Sequence, residues 1–285
     1  MNIPKNHLAI IALACLLTTK TSLSADKFKV CADPLHPPYS TKEQTGYENK
    51  IAELFAQQLG QDLEYTWFPE RIGFIRNTLK AENDNGTGFK CDVIIGLPAG
   101  SEIADTTKAY LHSTYVLLIA KGRGWDNISN ADQLANLALD RQEALKIAMF
   151  DRGPGTEWLQ QNGLLQQGVP YQSLTGDNEH NIAMQIDQDL RKGVIDMVIL
   201  WGPLAAYVQT QSVPGSYIAI PMQSTAKIKF DYAIAMAVRS GDNARKQQLN
   251  ALIDKNFDNI QNIIGNYGIV SLPIIEEASK KQDDD

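Results

Sequence analysis

One order of elements occurs twice along this chain of 285 residues, and few architectures accommodate that. Residues 28–32 form a short β-prone run. Prolines at 34, 37 and 38 then fix an extended loop, because proline lacks the N–H that a ladder needs. Ile51, Leu54, Phe55 and Leu59 recur at helical spacing and stop at Gly60. The pattern predicts a second strand over 63–67, a helix over 71–80 entered just after Pro69, and a third strand over 93–95 ending at Gly96. This is the cadence of a doubly wound sheet with helices on both faces. Ligands of such sheets sit beyond the carboxyl ends of the strands, so loops 33–40, 67–71 and 97–101 should converge on one mouth.

The cadence restarts after an unbroken β-prone run at 114–120 and a glycine-containing segment at 121–124. A helix near 131–138, a strand over 146–150, a helix over 157–161 led in by Gly153-Pro154-Gly155-Thr156, a helix before Gly193, a strand over 196–200 and a helix from Pro203 make a second unit. Residues 232–238 read as a strand leading back. Residues 244–264 read as one long closing helix, with Leu249, Leu252, Ile253, Phe257, Ile260 and Ile264 on one stripe. The expected fold is α/β with two lobes, each a doubly wound sheet flanked by helices, joined by two β-strand hinge crossings. Lobe I should take 26–120 plus 229–285, lobe II 121–228, and the tail 280–285 should be a solvated end.

Residues 1–25 read as a cleaved signal peptide: one lysine near the start, an apolar run over 8–17, and Leu23-Ser24-Ala25 at the cleavage point. That run is too short to span a bilayer as a mature helix, so no transmembrane segment is expected in the mature form. Removing Lys5 and Lys20 takes the formal charge from −7 to −9, with no cluster of bases to neutralise phosphates, which argues against nucleic acid. Cys31 and Cys91 then remain in an oxidising compartment, where a pair is more often a disulfide than two thiols. Neighbouring parallel strands would offset them by roughly 10 Å, more than the ~7 Å a bridge tolerates. Compartment is weighed above offset, and the bridge is expected.

Catalytic signatures are absent. There is no Gly-x-Ser-x-Gly elbow, His-Glu-x-x-His helix, Cys-x-x-Cys pair or phosphate loop. His36, His112 and His180 are scattered, and the acids read as solvated faces. No cofactor and no metal loop are expected. Binding residues are easier to nominate. Tyr39, after two prolines, is either a preformed aromatic wall or a loop anchor; Trp67 and Arg71 bracket the next strand end; Pro98 follows the third. Arg71 at a helix start would favour an anionic or carbonyl partner. Gly153, Gly155 and Thr156 present a helix N-terminus suited to an anion, or an ordinary cap. Trp201 would face Tyr39 across the mouth, or pack under the hinge.

The chain resembles the periplasmic solute-binding proteins of two-lobed, type II topology (solute-binding protein family 3). The resemblance rests on Val30-Cys31-Ala32-Asp33, Pro37-Pro38-Tyr39-Ser40, Gly46-Tyr47-Glu48 and Cys91-Asp92-Val93-Ile94-Ile95-Gly96. Against that family's amino-acid receptors, Ile103 falls where an arginine grips the ligand carboxylate, and Trp201 near the place of the ammonium-binding acid. The resemblance therefore implies a cleft of rings and apolar groups in place of ionic clamps.

More narrowly, Tyr65-Thr66-Trp67-Phe68-Pro69-Glu70-Arg71, Gly73-Phe74-Ile75-Arg76-Asn77, Gly96-Leu97-Pro98-Ala99-Gly100, Ser113-Thr114-Tyr115-Val116 and Trp201-Gly202-Pro203 are similar to the MoxJ and XoxJ group that accompanies pyrroloquinoline-quinone (PQQ) methanol and alcohol dehydrogenases. That implies a periplasmic, non-enzymatic accessory protein of a quinoprotein methanol or alcohol dehydrogenase. It would assist maturation or activation by holding a small molecule or peptide segment in the cleft. The alternative expectation is a receptor delivering a small polar metabolite, not a standard amino acid, to an ABC transporter.

Overall fold

The computed structural model describes residues 26–173 and 181–274. The expected signal peptide, His180 and the tail 280–285 lie outside the described residues. Eleven strands occur in chain order: β1 (Lys27–Ala32), β2 (Leu35–His36), β3 (Ser40–Thr41), β4 (Asp62–Trp67), β5 (Val93–Pro98), β6 (Asp105–Ala120), β7 (Ile147–Phe150), β8 (Gly168–Tyr171), β9 (Met197–Trp201), β10 (Tyr217–Pro221) and β11 (Asp231–Val238). All but the β2–β3 ribbon belong to one continuous sheet that divides into two halves at β6.

The first half runs β4-β1-β5-β11-β6, and the second runs β8-β7-β9-β6-β10. Each therefore holds three parallel strands in the order second, first, third, then a strand arriving from the other lobe, then a fourth. The two flanking strands are antiparallel to their neighbours. The 16-residue β6 is the outer strand of one half and the incoming strand of the other, which makes it the first crossing. The second crossing leads into β11, where the Tyr115 N–H donates to the Phe230 carbonyl at 3.0 Å.

Side chains alternate across each strand, so every strand feeds two layers. In the first lobe Phe28, Val30 and Ala32 face the helix Tyr47–Leu59 and the closing helices. Cys31 faces the opposite layer with Leu79, Cys91 and Ile94. In the second, Leu117 and Ile119 join Trp125, Trp158 and Ile199, whereas Val116 and Leu118 join Ile186, Leu190 and Val208.

Several expectations are corrected. The helix expected over 71–80 is the single turn Phe74–Asn77, because Gly73 takes a left-handed φ of 93° and separates Arg71 and Ile72 from it. The long closing helix breaks into Asn243–Lys255 and Phe257–Asn266 at buried Asn256, whose amide donates to the Leu252 carbonyl at 2.9 Å. The break turns Phe257 off the apolar stripe, leaving it 39% exposed. Strands β8 and β10 carried no recognised signal.

Cys31 and Cys91 form a disulfide with a Cα–Cα separation of 5.4 Å. The expected strand offset does not hold them apart, since Cys91 precedes β5 and escapes its rise. Thr66, the ladder partner of Cys31 on β4, donates its hydroxyl to the Lys90 carbonyl at 2.7 Å and draws the lead-in segment beneath β1.

Candidate functional site

Where the carboxyl ends of β1 and β5 meet the crossings, a cavity of ≈ 280 Å³ opens. Its first wall follows from the residues after β1. Asp33 fixes the loop by accepting from the Leu35 N–H at 2.7 Å and the Glu70 N–H at 2.5 Å, while Ser40 donates its hydroxyl to the Asp33 carbonyl. β2 and β3 close a small ribbon, and the Tyr39 N–H completes its turn on the His36 carbonyl at 2.8 Å. The start of the helix Tyr47–Leu59 clamps this loop, with Tyr47 N–H on the Pro38 carbonyl and Glu48 N–H on the Tyr39 carbonyl. Gly46 permits the approach, because a Cβ there would overlap the Tyr39 carbonyl.

That wall is ionic as well as aromatic. His36 Nδ1 lies 2.6 Å from Glu70 Oε2, and its ring lies 4.5 Å from Tyr39. Burial works against a charged imidazole, yet the Glu70 carboxylate outweighs it and raises the His36 pKa. The same pairing lowers that of Glu70, whose side chain is half exposed. Among the described residues Glu48 forms no ion pair, and the Tyr47 hydrogen bond and the His36 charge only partly favour its carboxylate. Its carboxyl packs on Gly96, where any Cβ would displace it, and burial, with Glu70 second, pushes its pKa up to about 8.

Three rings form the facing wall. Tyr115 and Trp201 are ladder partners on β6 and β9, with centroids 5.4 Å apart, and Tyr232 on β11 stands 5.9 Å from Trp201 and 6.4 Å from Tyr115. Every pair is steeply inclined, at 58–74°. Three aromatic faces therefore enclose one corner of the cavity.

Of the residues nominated from sequence, Tyr39, Pro98 and Trp201 line the cavity. The remainder do not. Trp67 stacks on Tyr65 at 4.5 Å and packs against the first core, and Arg71 lies over the Phe68 ring at 5.1 Å. Gly155 packs against Ile199, and Thr156 donates its hydroxyl to the Phe150 carbonyl at 2.6 Å, serving the helix Pro154–Gln161 itself. Gly153 comes nearer, since a Cβ there would lie 4.0 Å from the Tyr115 hydroxyl. Ile103 is 54% exposed and outside the lining.

Beside the rings expected in place of ionic clamps, Asp33, His36, Glu48 and Glu70 also line the cavity. Reading acids as solvated faces missed Glu48 and Glu70. The usable signal was their position at the strand-end mouth, beside Gly46 and Pro69. Tyr115 was visible as an aromatic after Ser113-Thr114 inside an otherwise apolar run. Among the described residues, no group of three or more His, Cys, Asp or Glu is arranged to hold a metal ion.

Two sheet halves of shared strand order, joined by two crossings with a cavity at the junction, define the type II periplasmic binding protein fold. No protein-family model matches the chain. Similarity searches carry the assignment further. MoxJ of Methylorubrum extorquens is 27% identical over 263 residues, covering 88% of this chain and 83% of that protein. The crystal structure of the periplasmic binding protein XoxJ from Methylobacterium extorquens AM1 superposes with a TM-score of 0.67 at 27% identity, covering 86% of this chain and 99% of that one. MxaJ from Methlophaga aminisulfidivorans MPT gives 0.68 at 22% identity, covering 86% and 100%, and supports the fold. The chain is thus similar to MoxJ over most of its length and shares the fold of XoxJ and MxaJ.

Proposed function

We propose that the protein is a non-enzymatic periplasmic accessory factor of a PQQ-dependent methanol or alcohol dehydrogenase, and that it assists maturation or activation by receiving part of that enzyme between its lobes. The observation that carries this reading is the cavity: Tyr39 and Pro98 come to it from the first lobe and Trp201 from the second, so closure about β6 and β11 would grip a guest on both sides. Aromatic side chains bury ~150–250 Å² each, enough to anchor a peptide segment or ring. Similarity to MoxJ and XoxJ over most of the chain supports the dehydrogenase as the source of the guest. Export is supported by the Cys31–Cys91 bridge, and no described helix is long and apolar enough to cross a membrane.

Pairing Tyr39→Ala with Trp201→Ala tests this. The double variant should fold, lose co-purification with the dehydrogenase and leave that enzyme under-activated. Unchanged complex formation and activity would exclude the cleft mechanism. The competing reading, a receptor handing a small metabolite to a permease, draws on the enclosed volume of the cavity. It requires a ligand retained in native mass spectra of protein purified from its source.

A further inference from the structure

The two walls of the cavity are chemically complementary to a single kind of guest. On the first-lobe side stand three carboxyl groups, Asp33, Glu48 and Glu70, and among the described residues His36 is the only basic side chain in the lining. His36 is committed to Glu70, and Asp33 to the loop N–H groups of Leu35 and Glu70. Among the described residues Glu48 therefore has no ion-pair partner of its own, only the more distant attraction of the His36 imidazole. Opposite lie Tyr115, Trp201 and Tyr232, whose negative ring faces attract cations. The Tyr232 ring already does so outside the lining, where the Lys229 ammonium sits 5.1 Å from its centroid. Among the described residues no lysine or arginine lines the cavity, and His36 is already paired with Glu70, so no free base there would pair with a carboxylate on the guest.

We propose that the cavity receives a primary ammonium carried on a short aliphatic arm and lacking a neighbouring carboxylate, seated between the Glu48 carboxylate and the Tyr115, Trp201 and Tyr232 rings. The inference rests on the preceding reading, because a lysine side chain of a partner polypeptide has this chemistry; a free alkylamine shares it. A free α-amino acid does not, since its carboxylate would be desolvated without a partner.

Charge balance gives the proposal a signature. In the empty cavity burial holds Glu48 protonated at neutral pH. An incoming ammonium favours the carboxylate and expels that proton. Among the described residues the titratable groups that bear on Glu48 are His36 from the loop after β1, Glu70 after β4, Tyr65 on β4, Tyr110 on β6, Tyr39, and Tyr47 on its own helix. Burial raises the pKa of Tyr39, Tyr47, Tyr110 and Tyr115, so they stay neutral at that pH.

The test is calorimetry on the mature protein with Nα-acetyl-lysine-N′-methylamide, its neutral norleucine counterpart, n-butylamine and free lysine. The blocked lysine should bind at least about tenfold more tightly than the norleucine compound or free lysine, a gap of about 1.4 kcal/mol. Buffers of different ionisation enthalpy should report release of up to one proton at pH 7, and Glu48→Gln should abolish the release and weaken binding. Blocked lysine outbinding butylamine assigns the guest to a polypeptide; equal binding assigns it to a free amine. Norleucine and lysine compounds binding alike, or free lysine binding best, would overturn the proposal. The wild-type ligand series stands without any variant. If the dehydrogenase complex depends on Tyr39 and Trp201 while no ammonium binds, the accessory reading survives and this inference does not. If blocked lysine binds but no complex forms, the reverse holds.

Discussion

The two halves of the sheet share one strand order but supply opposite chemistry to the cavity between them. The first half ends in loops that carry Asp33, His36, Glu48 and Glu70, stapled by a disulfide and clamped by a helix start. The second contributes Trp201 at the end of β9 and Tyr115 on the shared crossing β6, joined by Tyr232 of β11, while the helix N-terminus at Gly153-Pro154-Gly155-Thr156 spends the Thr156 hydroxyl on the Phe150 carbonyl. Equal topology thus fixes where a mouth opens and leaves its character to a few loop residues. The charged side is the more heavily constrained of the two.

The largest effect should come from unstapling that side. Cys31 lines the cavity, and replacing Cys31 and Cys91 together by alanine should cost about 2–5 kcal/mol, as removal of a native disulfide commonly does. Denaturant unfolding of the oxidised wild type beside the double variant measures it. If the bridge braces the ionic wall, near-ultraviolet signals from Tyr39 and Tyr47 should weaken before those of Trp201. Loss of both sets together would erase the distinction between the halves.

A matched pair of glycines sharpens the comparison. A Cβ at Gly46 would overlap the Tyr39 backbone, whereas at Gly155 it would meet the Ile199 Cβ at 3.1 Å, a side chain able to shift. Gly46→Ala should destabilise by about 1–3 kcal/mol, in the range of overpacked sites, and displace the loop bearing His36 and Tyr39. Gly155→Ala should cost less and leave the cavity intact. Thermal melts and guest binding would separate them, and equal effects would show that the clamp on Tyr39 is not special.

The pH dependence is smaller but has a definite sign. Glu48 has a raised pKa, so between the ordinary carboxylate range and about 8 the folded chain holds a proton that the unfolded chain has lost. Stability must then fall as pH rises through that window. His36, also raised, acts in the same direction above its ordinary value, because its ion pair with Glu70 is lost as the imidazole deprotonates. Glu70 and Asp231, both lowered, act only below the window, where falling pH removes their contribution. Glu48→Gln should flatten the slope and raise stability at pH 8 by about 1–2 kcal/mol, a figure reduced for the carboxyl's partial contact with the cavity. An unchanged slope would place the Glu48 carboxyl in solvent.

Much of this architecture is legible in the sequence. The apolar run at 114–120 marked the first crossing, although the mixed polar and apolar residues 105–113 hid more than half of β6. Alternation cannot announce a strand whose exposed positions are threonine, lysine and histidine. Prolines at 37 and 38 and the apolar spacing of the helix Tyr47–Leu59 located Tyr39 correctly at the mouth, yet the same spacing treated Glu48 as surface, because helical periodicity is blind to a loop folded over the first turn. Trp67 illustrates the reverse error. A residue at a strand end can enter the mouth or lie along the sheet, and its stack on Tyr65 takes the second course. The break at Asn256 depends on a side chain competing for the Leu252 carbonyl, which no hydrophobic pattern encodes.

The most direct measurement is a contact made from inside the cavity. Tyr39→p-benzoyl-phenylalanine places a photoreactive group on the charged wall, and irradiation in cells expressing the quinoprotein dehydrogenase should yield a covalent adduct whose crosslinked peptide comes from that enzyme and contains a lysine beside the attachment point. An adduct made only from an outer surface position such as Leu139, 77% exposed, with none from position 39, would contradict a guest held between the lobes.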